Sequence, residues 1–175
     1  LLGTSRGLYI KKGNNIRYAS EYGISQTVYS MLNTHWGQLI GTINGLYVIR
    51  GSHARRIMIG AGRQPLVNAI IADKHHNIWV GTSQGLKQLN PQTQKVRKYT
   101  ISDGLPSNSI SAIEGDANGN LWISTNFGIS RFNPSTQTFV NFYASDGLQG
   151  NEFSKGVSFA STKGEIIFGS TSGIT

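Results

Sequence analysis

A chain of 175 residues with twenty-two glycines, four prolines and no cysteine has the length of one ordinary domain and excludes a disulfide framework and thiolate metal sites. Sixteen Lys and Arg against eight Asp and Glu give a formal net charge of +8. The densest basic clusters are only Arg55-Arg56 and Lys95 to Lys98, which argues against the basic arm or tail of a nucleic-acid binder.

In chain order, short apolar runs alternate with turn chemistry, and one string returns. It reads LLGTSRGL at 1–8, QLIGTINGL at 38–46, IWVGTSQGL at 78–86, LWISTNFGI at 121–129 and IIFGSTSGI at 166–174. Measured at Gly3, Gly41, Gly81, Ser124 and Gly169, the intervals are 38, 40, 43 and 45 residues. Between the copies lie longer connections: SEYGISQT (20–27), GAGRQPL (60–66), SDGLPSNS (102–109) and SDGLQGNEFSKG (145–156). The unit is clearest over 109–143, where SISAIEGD, LWIST, GISRFN and TFVNFYA are four strand-length runs separated by DANGN, TNFG and NPSTQT. Runs of this length bounded by Gly, Asn, Asp and Pro read as strands, so the unit is a four-stranded meander.

A lone meander cannot bury two apolar faces, so the copies must stack on one another. Four strands per 40-odd residues is the period of a β-propeller blade. The expected fold is therefore all-β: a β-propeller fragment of about three complete blades with partial blades at both ends. The blade pieces fall at approximately 1–20, 21–60, 61–102, 103–145 and 146–175 of a single 1–175 unit. On this reading Trp79, Trp122 and Phe168 are blade core, Gly81 and Thr82 end their strand where it must turn, and Gly85 and Gly128 occupy turn positions hostile to a Cβ. Any export or anchoring signal of the parent would lie outside this chain, because no apolar run approaches the roughly 20 residues that span a bilayer.

The strings DANGNLWISTNFGISRFNP and DKHHNIWVGTSQGLKQLNP, with the linking VRKYTISDGL and FVNFYASDGL, resemble the two-component regulator propeller repeat. NTHWGQLIGT and GAGRQPL depart from it, lacking the leading Asp, the strand Trp and Asp-Gly-Leu. The final stretch, with Asn151-Glu152-Phe153 and FGSTSG, resembles the last blade of such propellers. The resemblance implies a seven-bladed parent and a periplasmic sensor region of a bacterial membrane protein, often a hybrid histidine kinase and sometimes a diguanylate cyclase. It further implies partners in the remaining blades and a following β-sandwich domain, a homodimeric arrangement that relays occupancy, and an oligosaccharide ligand. The residues themselves, with scattered basic charge and no metal-ligand or cofactor motif, give the expectation of no cofactor, metal or nucleic acid.

In a propeller the inter-blade loops and the turns after the Trp strand share one rim, which surrounds the axis. That places Arg6, Tyr22, Asn44, Arg63 and Gln84, with Asn108, Phe127, Asn151 and Glu152, as candidate ligand-binding positions. Asp103 and Asp146 raise the alternative of a glycan lyase or hydrolase working through paired acids. Their equivalent places before Gly-Leu in successive repeats instead favour local turn formation. His35, His53, His75 and His76 lack metal-ligand spacing and read as turn histidines, and Trp36 reads as a turn residue, exposed or packed at a blade edge. A protein-interaction scaffold is the third reading.

Overall fold

The computed structural model describes residues 1–175, and their strands form five separate antiparallel sheets. The first holds β1 (Leu2–Thr4), β2 (Gly7–Lys12) and β3 (Asn15–Tyr18). The second holds β4 (Val28–Thr34), β5 (Gly37–Thr42), β6 (Gly45–Arg50) and β7 (His53–Ile57), and the third holds β8 (Val67–Ala72), β9 (Ile78–Thr82), β10 (Gly85–Leu89) and β11 (Val96–Tyr99). The fourth holds β12 (Ile110–Gly115), β13 (Leu121–Thr125), β14 (Ile129–Asn133) and β15 (Thr138–Phe142). The fifth holds β16 (Phe153–Ala160), β17 (Ile166–Ser170) and β18 (Gly173–Ile174). Every strand pairs with its sequence neighbours, so each sheet is a meander, and the inner strands β4, β8, β12 and β16 succeed one another around an axis.

The core lies between sheets rather than within one. Leu39, Leu46, Val48 and Ile57 of the second sheet meet Val67, Ile70, Val80 and Leu89 of the third. The other face of the third sheet meets the fourth through Trp79, Leu86, Tyr99, Ile110, Ile123 and Phe132. This is why β9 is buried along its whole length and carries apolar residues on both faces. The Trp79 ring, fully buried, packs edge-on against Phe132 at 5.5 Å between centroids and beside Tyr99 at 5.9 Å. Burying a large side chain of this kind stabilises the fold by about 1.5–3 kcal/mol.

Gly81 and Thr82 close β9 as expected, and Gly81 has a second role: a Cβ there would come within 2.7 Å of Ile110 Cγ2 in the next inner strand. The repeated glycine thus permits one blade to approach the next, and the turn itself is made by the following threonine. Thr82 Oγ1 donates to the Gly85 carbonyl at 2.7 Å and accepts from the Gln84 N–H at 3.0 Å. Thr4, Thr42 and Thr125 repeat the same pair of bonds.

Trp122 is half-buried and packs against the cluster of Ala112, Ile129, Phe153 and Phe168. Its ring stacks on Phe142 at 5.7 Å, matching Trp79 on Tyr99. Across the seam from Trp122 the fifth sheet presents Ile166 and Phe168. Between the two sheets is an apolar cleft of about 500 Å³ lined by Trp122, Ile129, Phe142, Leu148, Ile166 and Phe168.

The connections contain single 3-10 turns at Ser20–Tyr22, Ile101–Asp103 and Ala144–Asp146. The residue after each turn glycine, Ile24, Leu105 or Leu148, drops into the seam between sheets. The deviant connection at 60–66 uses Gln64 instead. Its side chain accepts from the Ile59 N–H at 2.8 Å and donates to the Gly60 and Gly62 carbonyls at 2.8 and 3.2 Å. Gln64 is buried, so Gln64→Ala strands an amide and two carbonyls, and a loss of about 1–3 kcal/mol is expected in denaturant unfolding.

Candidate functional site

The inter-blade loops and the turns after β1, β5, β9, β13 and β17 come together on one rim, tied by backbone bonds. Leu8, Gly85 and Gly128 donate to the carbonyls of Ile24, Asn108 and Asn151, and Ile43, Ser83 and Asn126 to those of Thr27, Leu66 and Ser109. Gly128, at φ +94°, stands where a Cβ would come within 2.6 Å of the Phe142 carbonyl oxygen. Only glycine allows that approach without strain.

The nine rim candidates divide by what their side chains do. Asn108 Oδ1 accepts from the Ile101 N–H at 3.0 Å, and Asn151 Oδ1 from the Ala144 N–H at 2.7 Å. Both side-chain carbonyls therefore shape their loops. Tyr22 is half-buried, packs in the seam between the first and second sheets and directs its hydroxyl to the Gly51 carbonyl at 3.5 Å. Asn44 is half-buried, and its carbonyl accepts from the Arg56 guanidinium. Arg6, Arg63, Gln84, Phe127 and Glu152 are exposed. Phe127, 54 % exposed, leans on Tyr143 with ring centroids 5.7 Å apart, making an aromatic shelf on the rim. Beside it Ser107 Oγ donates to Asn126 Oδ1 at 2.6 Å.

Sequence reasoning missed the axial channel. The inner strands β4, β8 and β12 each carry a register shift at their first residues, between Val28 and Ser30, Val67 and Ala69, and Ile110 and Ala112. The skipped residues are Tyr29, Asn68 and Ser111, re-aimed as bulges do. Asn68 Nδ2 donates to the Ile110 carbonyl at 2.7 Å and Ser111 Oγ to the Phe153 carbonyl at 2.8 Å. Each thus clamps its blade to the next. Around these strands lies a channel of about 210 Å³ lined by Tyr29, Ser30, Asn68, Glu114 and Ser158 among others. Glu114 Oε1 accepts from Ser158 Oγ across it at 2.7 Å. Asn68 Oδ1 and Ser30 Oγ are buried without a partner. The polar residues in LVNAIIA and ISAIEG sit at matching repeat positions, which is the signal that could have found them.

The carboxylates are held apart by the repeat. Asp103 Oδ2 accepts from the Thr100 N–H and hydroxyl at 2.8 and 3.0 Å, and Asp146 Oδ2 from the Tyr143 N–H at 2.9 Å. Asp73 and Asp116 lie on the opposite rim and receive the indole N–H of Trp79 and Trp122 at 2.9 and 3.1 Å. For both, burial raises the carboxyl pKa. Bonds from that indole, from Asn77 or Asn120 and from backbone N–H groups outweigh it, and the net shift is downward. His35 and His76, from turns of adjacent sheets, meet edge to face at 5.4 Å. No three His, Cys, Asp or Glu residues converge.

Comparison with known proteins follows this geometry. The family model described as two component regulator propeller matches residues 104–127, the segment running from Gly104 through the Asp116 turn and Trp122 to Phe127. These residues are a two component regulator propeller repeat. The extracellular domain assigned to the hybrid two component system BT3049 from B. thetaiotaomicron is 28% identical to the chain, with a TM-score of 0.77, covering 84% of this chain and 21% of that one. The extracellular domain assigned to the one component system BT4673 from the same organism is 23% identical, with a TM-score of 0.83, covering 98% of this chain and 25% of that one. Virginiamycin B lyase from Staphylococcus aureus is similar in fold, at 15% identity and a TM-score of 0.68, covering 98% of this chain and 62% of the lyase. The chain thus spans about a quarter of the length of the first two relatives. Curated proteins gave no match. The chain has the fold of a β-propeller fragment, and the matched repeat lies within its fourth sheet and the loop before it.

Proposed function

We propose that this chain is part of the ligand-sensing propeller of an extracytoplasmic sensor, and that its loop rim meets an oligosaccharide without transforming it. The observation that carries the reading is the 28% identity over 84% of the chain to an extracellular domain assigned to a hybrid two component system. The rim supplies chemistry suited to sugars. Phe127 and Tyr143 form an apolar shelf on which a pyranose face can rest, while Arg6, Arg63 and Gln84 are exposed donors on the same rim. The parent would hold the propeller in the periplasm and transmit occupancy across the membrane to a kinase. Such transmission requires a ligand that binds two arrangements of the sensor with different affinity.

A thermal-shift screen of neutral and charged oligosaccharides tests the reading. A stabilising sugar is expected, with its effect abolished by Phe127→Ala and reduced by Arg63→Ala or Gln84→Ala while the ligand-free melting temperature stays unchanged. Saturation at about 100 times Kd corresponds to about 2.7 kcal/mol. Turnover of a screened glycan that is lost in Asp103→Asn or Asp146→Asn at unchanged stability would overturn the reading in favour of a propeller enzyme.

A further inference from the structure

The net charge of +8 conceals a division. Residues 1–100 carry thirteen Lys and Arg against two carboxylates, a net +11, whereas residues 101–175 carry three against six, a net −3. Of the two carboxylates in the basic part, Glu21 is bound to Arg17 at 2.7 Å and Asp73 is closed into its turn. Arg17–Glu21 is the molecule's only salt bridge.

Register shows where the unneutralised cations go. In β7, Ile57 is buried in the seam between the second and third sheets, and Arg55, two residues away on the same face, opens toward the third sheet at that seam's outer end. In β11, Tyr99 faces the fourth sheet, so Lys98 faces back toward the second. Lys98 pairs in register with Lys87 of β10, which shares the face of the seam residue Leu89. Lys87 is only 3 % exposed. Burial and then the neighbouring Lys98 pull its ammonium below the usual lysine range. Arg55, Lys87 and Lys98 thus face one seam from both sides, while Arg56 and Arg97, also exposed, lie on the opposite faces of β7 and β11 and donate to the Asn44 carbonyl and to Gln137 Oε1. The Arg55-Arg56 pair and the cluster from Lys95 to Lys98 are remote in sequence from each other and become one surface only when the sheets stack.

Cations on edge strands can serve simply to block sheet-to-sheet aggregation. That role does not explain a buried lysine, and β15, the outer strand of the fourth sheet, reads TFVNF with no charge at all. Like charges gathered without a counter-charge raise the local potential and attract an anionic partner. We propose that the outer wall of the second and third sheets is a binding surface for a linear acidic polysaccharide, separate from the loop rim.

The shape of the wall selects this partner. The outer strands of successive blades form a convex surface, which a flat anionic bilayer or a stiff nucleic-acid duplex touches only along a tangent, whereas a flexible polyanion follows it. Single-stranded nucleic acid needs exposed aromatic rings for stacking. The exposed aromatics here are Tyr29, Phe127 and Phe159, none of them on β7 or β11.

The test is fluorescence anisotropy of the chain with a labelled homogalacturonan oligomer, beside a size-matched neutral glucan, single-stranded DNA and anionic phosphatidylglycerol vesicles. Binding to the galacturonan alone is expected, weakening steeply with added salt because exposed charges are screened. The triple variant R55Q/R56Q/K98Q should lower the affinity by about tenfold or more, with the control R131Q/K155Q/K163Q changing it less than about twofold. All three substitutions of the test variant lie at exposed positions, and its melting temperature should stay near that of the unmodified chain, the lost Arg56 bond to the Asn44 carbonyl being offset by relieved repulsion. Failure to bind galacturonan, tighter retention of DNA or vesicles, or equal affinity of the two triple variants would overturn the proposal. So would aggregation of R55Q/R56Q/K98Q with galacturonan binding intact, which would leave edge protection as the role of these cations.

Discussion

Trp79→Ala is expected to lower the free energy of unfolding by about 3–5 kcal/mol, the range for deleting a fully buried large aromatic, while the same change at Trp122 costs about 1–2 kcal/mol. The two residues occupy the same place in the repeat and carry the same hydrogen bond, from the indole to Asp73 and to Asp116. They differ in what lies over the ring. Phe132 and Tyr99 enclose Trp79 with its neighbours in a closed cluster, so truncation leaves a cavity whose walls belong to two different sheets. Trp122 has Phe142 on one side and the open cleft on the other, and water enters when the ring is removed. Urea unfolding of the two variants side by side measures the difference. Equal losses would mean that the cleft is closed in solution.

The second large effect concerns Asp73. Asp73→Ala removes the acceptor of four hydrogen bonds, from the His75 and Asn77 N–H groups, the Asn77 amide and the Trp79 indole. With the indole N–H left unpaired beside the core, a loss of about 2–4 kcal/mol is expected. The same bonds make stability depend on acid. The folded carboxyls of Asp73 and Asp116 titrate below their unfolded value, about 3.9 for aspartate. The folded protein therefore holds fewer protons than the unfolded chain in that window. Their contribution is complete above pH ~4 and disappears as pH falls through the lower folded values. Wild-type stability should fall on acidification below pH ~4, and Asp73→Asn together with Asp116→Asn should flatten that fall while lowering stability at neutral pH. An unchanged acid profile in the double variant would assign the acid sensitivity to other carboxylates.

The fold could be read from the chain because a propeller writes its period directly into sequence: Gly81, Trp79 and Thr82 return in recognisable form at Ser124, Trp122 and Thr125. What the pattern could not convey was the reason for each residue. Gly81 looks like a turn glycine beside Thr82, yet it serves the approach of the neighbouring blade at Ile110. Trp122 looks identical to Trp79 along the chain, and only the side chains across the seam separate them. The rim was partly legible. Arg63, Gln84 and Phe127 are exposed as expected, whereas Asn108 and Asn151 have the turn-forming chemistry that asparagine shares with aspartate and use it within their own loops. The clamp at Asn68 and Ser111 depends on bulges, and its one trace in the sequence is a polar residue at the matching place of two apolar strands. Likewise the basic seam is invisible in sequence, since Arg55 and Lys98 are brought together only by stacking.

Native-state hydrogen exchange read strand by strand tests most directly the claim that contacts between blades, rather than the sheets by themselves, hold this chain and leave its loop rim free to bind. Amides of β8 and β9, flanked by closed seams on both faces, should exchange slowest and at a common rate, because opening either of them requires separating two sheets. Those of β1, β18 and the turns at 83–84 and 126–127 should exchange far faster. Uniform protection across all five sheets, or rapid exchange in β9 while β15 and β18 stay protected, would contradict the account.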